Sequence, residues 1–190
     1  TEVSPPQARV ILFDVPKAGQ SNILAATIVD APYGDGHHAF QLADTAFGGT
    51  FTSRINSNLR AEKGWSYAVG SVATNMIGAR AGGVSARVQT DKTAASIKEL
   101  LKELAAIESD RPFTDTELED IRNQRVRTLP GSIATSRGVL SHIVNNYRFG
   151  RPKDFIEKQK TAFEAVDMIE MGEAFSSRID AEDFVWIISG

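Results

Sequence analysis

Arg60 and Tyr67 stand seven residues apart in the segment Gly48 to Gly70, GGTFTSRINSNLRAEKGWSYAVG; one carries a fixed positive charge, the other a hydroxyl donor. The pattern predicts Arg60 on the last turn of a helix, a chain reversal at Gly64, and Tyr67 as the third residue of the strand that follows. A helix-to-strand corner of that kind could bring a guanidinium and a phenol to one mouth. A surface arginine beside a half-buried tyrosine produces the same pattern, and on spacing alone it is the favoured reading.

Other chemistries have weaker claims. The only histidines are His37, His38 and His142. On a helix, adjacent His37 and His38 point about 100° apart, whereas a zinc pair needs spacing near four residues to share a face. Ala39, Phe40 and Gln41 add no ligand, so the pair reads as a polar loop and helix start, and no metal is assigned to the chain. His142 follows Ser141 directly and therefore faces elsewhere; no G-x-S-x-G elbow supports a serine nucleophile. Gly78, Gly82 and Gly83 fit neither dinucleotide nor P-loop spacing and lie between strand-like runs. Asp115, Glu117, Glu119 and Asp120 open a helix, where the macrodipole favours negative charge, and read as a solvated face.

The elements that must hold these residues follow from periodicity. Arg9–Val15 and Ser21–Asp30 are β-favouring runs separated by a break at Pro16–Gln20, which predicts a hairpin. After a loop at Ala31–His37, Phe40, Ala43 and Phe47 recur at helical spacing up to Gly48-Gly49, and Phe51, Ile55 and Leu59 step by four toward Gly64. Trp65–Thr74 and Ala79–Gln89 predict a second hairpin, turning at Asn75–Gly78, with a break or bulge at Gly82-Gly83.

The remainder reads as helical. Ile97, Leu100, Leu101 and Leu104 form an apolar stripe. Thr114 with Glu117 makes a capping box for a helix ending at Leu129-Pro130-Gly131. Val139, Leu140, Ile143, Val144 and Tyr147 mark another helix closing at Gly150, and Phe155–Phe163 a further one. Asp167 and Glu170 box the last helix, through Phe175 and Ile179, before a buried strand at Phe184–Ile188. Strands, then helices, then one returning strand predict an α+β fold: an antiparallel sheet with helices packed on one face.

Composition narrows the function classes. The chain has 190 residues, 42% hydrophobic and 24% charged, ordinary values for one compact domain. The absence of cysteine excludes disulfides, thiolate zinc sites and cysteine nucleophiles. A formal net charge of −3, from 21 basic and 24 acidic residues, gives no footprint for nucleic acid or an acidic membrane. The longest apolar run, around Ile23–Val29, is too short for a membrane span. We expect a single domain over 1–190, a fragment of a longer chain, with its localisation left open.

The segment quoted above strongly resembles a signature of the pitrilysin-type, inverted-motif zinc metallopeptidase family: Gly-Gly, Phe-x-Ser-Arg, Leu-Arg, Lys-Gly, aromatic, x, Tyr. Supporting similarities lie at VPKAGQSNI, Val88-Gln89-Thr90, FTDTELEDIRN and Leu129-Pro130-Gly131, so the likeness spans nearly the whole chain. Family members close two halves around a chamber that takes short or unfolded peptides, one half carrying zinc on H-x-x-E-H. No H-x-x-E-H is present here. The resemblance therefore implies the C-terminal, non-zinc-binding domain, with no cofactor in this chain and zinc on a partner: an N-terminal domain or companion subunit.

By the same resemblance, Arg60 would hold the peptide backbone or a carboxylate, and Tyr67 would donate its hydroxyl hydrogen to the oxyanion formed as zinc-activated water attacks. Trp65, beside them, is a further candidate for substrate contact. Ala61 stands where many relatives carry an acid, and Trp65 where Leu or Tyr is common, which leaves the pocket's shape open. The expectation is a substrate-binding half, inactive as an isolated chain. Two alternatives stand beside it: a non-catalytic scaffold of the same fold, and an unrelated module that recruits peptides at a sheet edge.

Overall fold

The computed structural model describes residues 7–30, 34–74 and 76–190. The expected features at Thr1–Pro6, Ala31–Tyr33 and Asn75 lie outside the described residues. Five strands form one sheet in the order β1-β5-β2-β4-β3: β1 Arg9–Phe13, β2 Gln20–Val29, β3 Ser66–Ala73, β4 Arg80–Gln89 and β5 Val185–Ser189. The helices are α1 His37–Asp44, α2 Arg54–Asn56, α3 Thr93–Ile107, α4 Asp115–Ser132, α5 Ser136–Arg148, α6 Phe155–Ala165 and α7 Met168–Ser176. π-helical turns at Thr45–Gly49 and Ser57–Glu62 extend α1 and α2.

The α+β architecture and the second hairpin follow the expectation, but the first hairpin does not form. β5 lies between β1 and β2, parallel to β1 and antiparallel to β2, so the sheet is mixed. The physical reason is in β5 itself: VWII is apolar on both faces, as a central strand requires, and it displaces a pairing that only a local turn signal suggested. β2 alternates strictly, with Ser21, Ile23, Ala25, Thr27 and Val29 buried and the intervening residues open. Its buried residues, with Val84, Ala86 and Val88 of β4, meet the helices on one side of the sheet.

Phe175 of α7 is the centre of the helix layer, with the rings of Phe47, Phe113 and Phe40 at 5.1, 5.6 and 6.3 Å. Each fully buried side chain of this size contributes roughly 1.5–3 kcal/mol. The Thr114–Glu117 capping box forms, and the Asp167 carboxylate accepts from the Glu170 amide at 2.8 Å. Three expectations need correction. Phe51 lies before α2 and is exposed, because it sits in a turn closed by the Ser53 amide on the Thr50 carbonyl, not in the helical repeat. α4 runs through Pro130 to Ser132, one residue past the expected Leu129-Pro130-Gly131 stop, and the proline removes one backbone donor from its last turn. The irregularity in the second hairpin is at Ser66/Ala68, while β4 passes unbroken through Gly82-Gly83. The apolar stripe of α5 forms a helix as predicted, yet none of its residues is buried.

Candidate functional site

The helical arm that carries Arg60 is fastened on three sides. Arg54 is buried and grips the Glu117 carboxylate with two hydrogen bonds of 2.7 Å, while also donating to the carbonyls of Pro112, at 2.7 Å, and Arg111. Its planar fork ties the arm to α4. Asn56 donates to the Val69 carbonyl at 2.7 Å, tying the arm to β3, and Asn58 donates to Glu103 at 2.7 Å, tying it to α3. The run SRINSN is thus an anchoring device, and Arg60 follows two residues after its last tie.

Gly64, at φ 65°, reverses the chain, and the Trp65 amide donates to the Leu59 carbonyl at 2.9 Å to close the corner. Strand β3 then begins with a bulge. Ser66 pairs with Val88 and Ala68 with Arg87, which leaves Tyr67 as the extra residue. Regular alternation back from buried Val69 would turn Tyr67 toward the helices; the bulge instead puts Tyr67 and Ala68 both on the open side. Ser66 holds this irregularity, its hydroxyl lying 2.6 Å from the Arg87 carbonyl and 3.0 Å from that of Ala68. As a result Tyr67 is 81% exposed.

Arg60 sits between two aromatic rings, its guanidinium carbon 4.6 Å from the centroid of Phe51 and 5.9 Å from that of Tyr67. Phe51 is delivered by the turn after Gly48-Gly49. A Cβ on Gly48 would overlap the Ser71 backbone nitrogen and approach Ile55 Cδ1 to 2.8 Å, so only glycine allows this turn to press against β3. Behind these three residues a groove of about 820 Å³ runs over the face of the sheet that carries no helices. Its floor includes Asn22 and Leu24 of β2, Ser85 and Arg87 of β4, and Ile187 of β5.

The structure therefore brings Arg60 and Tyr67 together and adds Phe51 and Arg87. Trp65 goes elsewhere: half-buried, it packs against the core with the Lys63 ammonium 5.3 Å from its ring, and it is not among the residues lining the groove. Phe51 was hidden by its apparent place in a helical repeat. Arg87 was findable, since β4 alternates and puts it on the open face with Ser85 and Gln89. The Arg54–Glu117 tie spans 63 residues and left no local signal.

For metal binding, no group of three or more His, Asp or Glu side chains among the described residues could hold an ion. His37 and His38 have ring centroids 5.5 Å apart, and burial with the Arg80 charge depresses His37 to about 3. These residues do not fit a zinc site. No helix among the described residues is long and apolar enough to cross a membrane.

Comparison with known proteins agrees with this architecture. A family model described as the peptidase M16 inactive domain matches residues 2–125. The chain matches no curated protein sequence. Among solved structures, it is similar to a peptidase M16 inactive domain from Pseudomonas fluorescens (16% identity, TM-score 0.88, 100% of this chain and 45% of that one). It is also similar to a protease from Helicobacter pylori (13% identity, TM-score 0.88, 98% of this chain and 45% of that one). A chain of complex III2 from Candida albicans matches as well (13% identity, TM-score 0.75, 96% of this chain and 46% of that one). The chain thus spans less than half the length of each. The family match, over more than half of the sequence and on a fold shared end to end, makes this chain a member of the peptidase M16 family, of its non-zinc-binding, inactive-domain class.

Proposed function

We propose that this chain is the substrate-binding and transition-state-stabilising half of a zinc metallopeptidase that degrades or processes peptides in a closed chamber. The single observation that carries this reading is the juxtaposition of Arg60 and Tyr67 at the mouth of an open groove. Zinc and its activated water would be supplied by a companion domain or subunit bearing H-x-x-E-H. Residues of this chain bind and orient. The Arg60 fork holds a peptide carbonyl or carboxylate, steadied by the Phe51 ring. The Tyr67 hydroxyl donates to the scissile carbonyl oxygen as that oxygen gains negative charge. Trp65 serves from beneath, filling the corner from which β3 emerges.

The test is reconstitution with the zinc-bearing companion, in which peptide cleavage appears only when both parts are present and falls when Tyr67 is replaced by Phe. Normal turnover by that variant would remove Tyr67 from the mechanism. A second reading, a scaffold of the same fold without catalysis, draws support from the likeness to a chain of complex III2 from Candida albicans. It predicts a companion lacking H-x-x-E-H and no cleavage in any combination.

A further inference from the structure

Although the whole chain carries a net charge of −3, the charged residues lining the groove are Arg60 and Arg87, with no Asp or Glu among them. Arg87 lies one strand inward from the bulge, paired with Ala68 on one side and with Asn22 on the other. Its main chain is engaged by Ser66, but its guanidinium is exposed and has no carboxylate within 4.0 Å among the described residues. The Asn22 side chain, on the same face of the adjoining strand, adds a second donor. One step further along β2, about 7 Å away, Leu24 pairs with Ile187, and the two make an apolar floor, each 37% exposed.

We propose that the groove selects acidic peptides, and that Arg87 is the specificity-determining residue, reading a substrate carboxylate between itself and Asn22 while an adjacent apolar side chain rests on Leu24 and Ile187. This rests on the substrate-binding reading above and adds to it the chemical class of the substrate. Two like charges with no carboxylate partner among the described residues, set over a concave wall, raise the local concentration of anions and repel lysine- and arginine-rich segments. A fixed planar guanidinium suits a carboxylate, which it can grip with two parallel hydrogen bonds.

The experiment is fluorescence anisotropy on the intact chain with two labelled, otherwise identical extended decapeptides, one bearing Glu and the other Lys beside a central Leu. The Glu peptide should bind roughly tenfold more tightly at low salt, with the ratio shrinking as ionic strength rises. In Arg87→Gln the ratio should fall severalfold, leaving only the contribution of Arg60, in Arg87→Lys it should persist, and in Arg87→Glu it should invert. Equal binding of both peptides by the unmodified chain, or an undiminished ratio in Arg87→Gln, overturns the proposal. If the peptides bind but Phe51→Ala and Arg60→Gln leave their affinity unchanged, the groove itself has been misread. Failure of both peptides to bind overturns the acidic-peptide proposal, whereas the substrate-binding reading falls only if the reconstituted pair cleaves normally with Tyr67→Phe.

Discussion

Ser66 donates its hydroxyl to the carbonyl of Arg87, 2.6 Å away, across the first rung of the β3–β4 pair, and that bond holds the bulge from which Tyr67 projects. Replacing Ser66 with Ala should therefore affect function more than folding. Loss of one neutral hydrogen bond costs about 1 kcal/mol. Release of the bulge lets Tyr67 turn toward the helices. Urea denaturation should show the small stability change, and the reconstituted enzyme a larger loss of turnover. Unchanged turnover would mean the bulge is held by other bonds.

Tyr67→Phe isolates the hydroxyl. The side chain is 81% exposed, so stability should stay within about 0.5 kcal/mol of the parent. If Tyr67 has the proposed oxyanion-donor role, its loss should lower kcat by roughly 10²–10³. Thermal unfolding and single-turnover kinetics of the reconstituted enzyme check the two halves of this expectation separately.

The arm that carries Arg60 should depend on Arg54. Arg54→Met leaves the half-buried Glu117 without its partner, and breaking such a pair costs about 3–5 kcal/mol. Burial raises the Glu117 carboxyl, but hydrogen bonds from Arg54 and Thr114 outweigh it and hold the group below its usual 4.5. A depressed carboxylate stabilises the fold above its unfolded pKa, and that contribution is lost as pH falls below about 4.5. Denaturation midpoints measured from pH 7 down to pH 3 should fall more steeply for the parent than for Arg54→Met.

Asp44 works in the opposite sense. Burial pushes its carboxyl from 3.8 up to about 6, against the Arg125 and Arg80 charges. The folded state therefore prefers the protonated form, and stability from this group is full below 3.8 and lost as pH rises through 6. At about 1.4 kcal/mol per unit, Asp44→Asn should stabilise the chain by a few kcal/mol at pH 7, and the advantage should vanish near pH 4. An advantage independent of pH would contradict this assignment.

Much of the framework was legible from local signals. The capping box at Thr114, the β3–β4 hairpin and the helical spans rest on contacts between near neighbours, which residue spacing reports directly. Arg60 and Tyr67 were legible as a pair because a short corner joins them. Contacts between distant segments were not. Nothing around Val185 tells that it will part β1 from β2, nothing near Arg54 points to Glu117, and the bulge at Tyr67 depends on a hydroxyl bonding across strands. Trp65 neighbours the pair in sequence, which makes it a candidate for substrate contact, whereas its ring packs inward against the core.

The insertion of β5 between the first two strands bears on how the chain reaches its native state. During synthesis β1 and β2 leave the ribosome long before residues 185–189 exist, and the short link over 14–19 invites them to zip together prematurely. Such a hairpin would have to reopen to admit the late strand. The finished sheet therefore depends on a pairing of high contact order, which slows folding, and until Val185–Ser189 docks the slot between β1 and β2 is open to wrong partners.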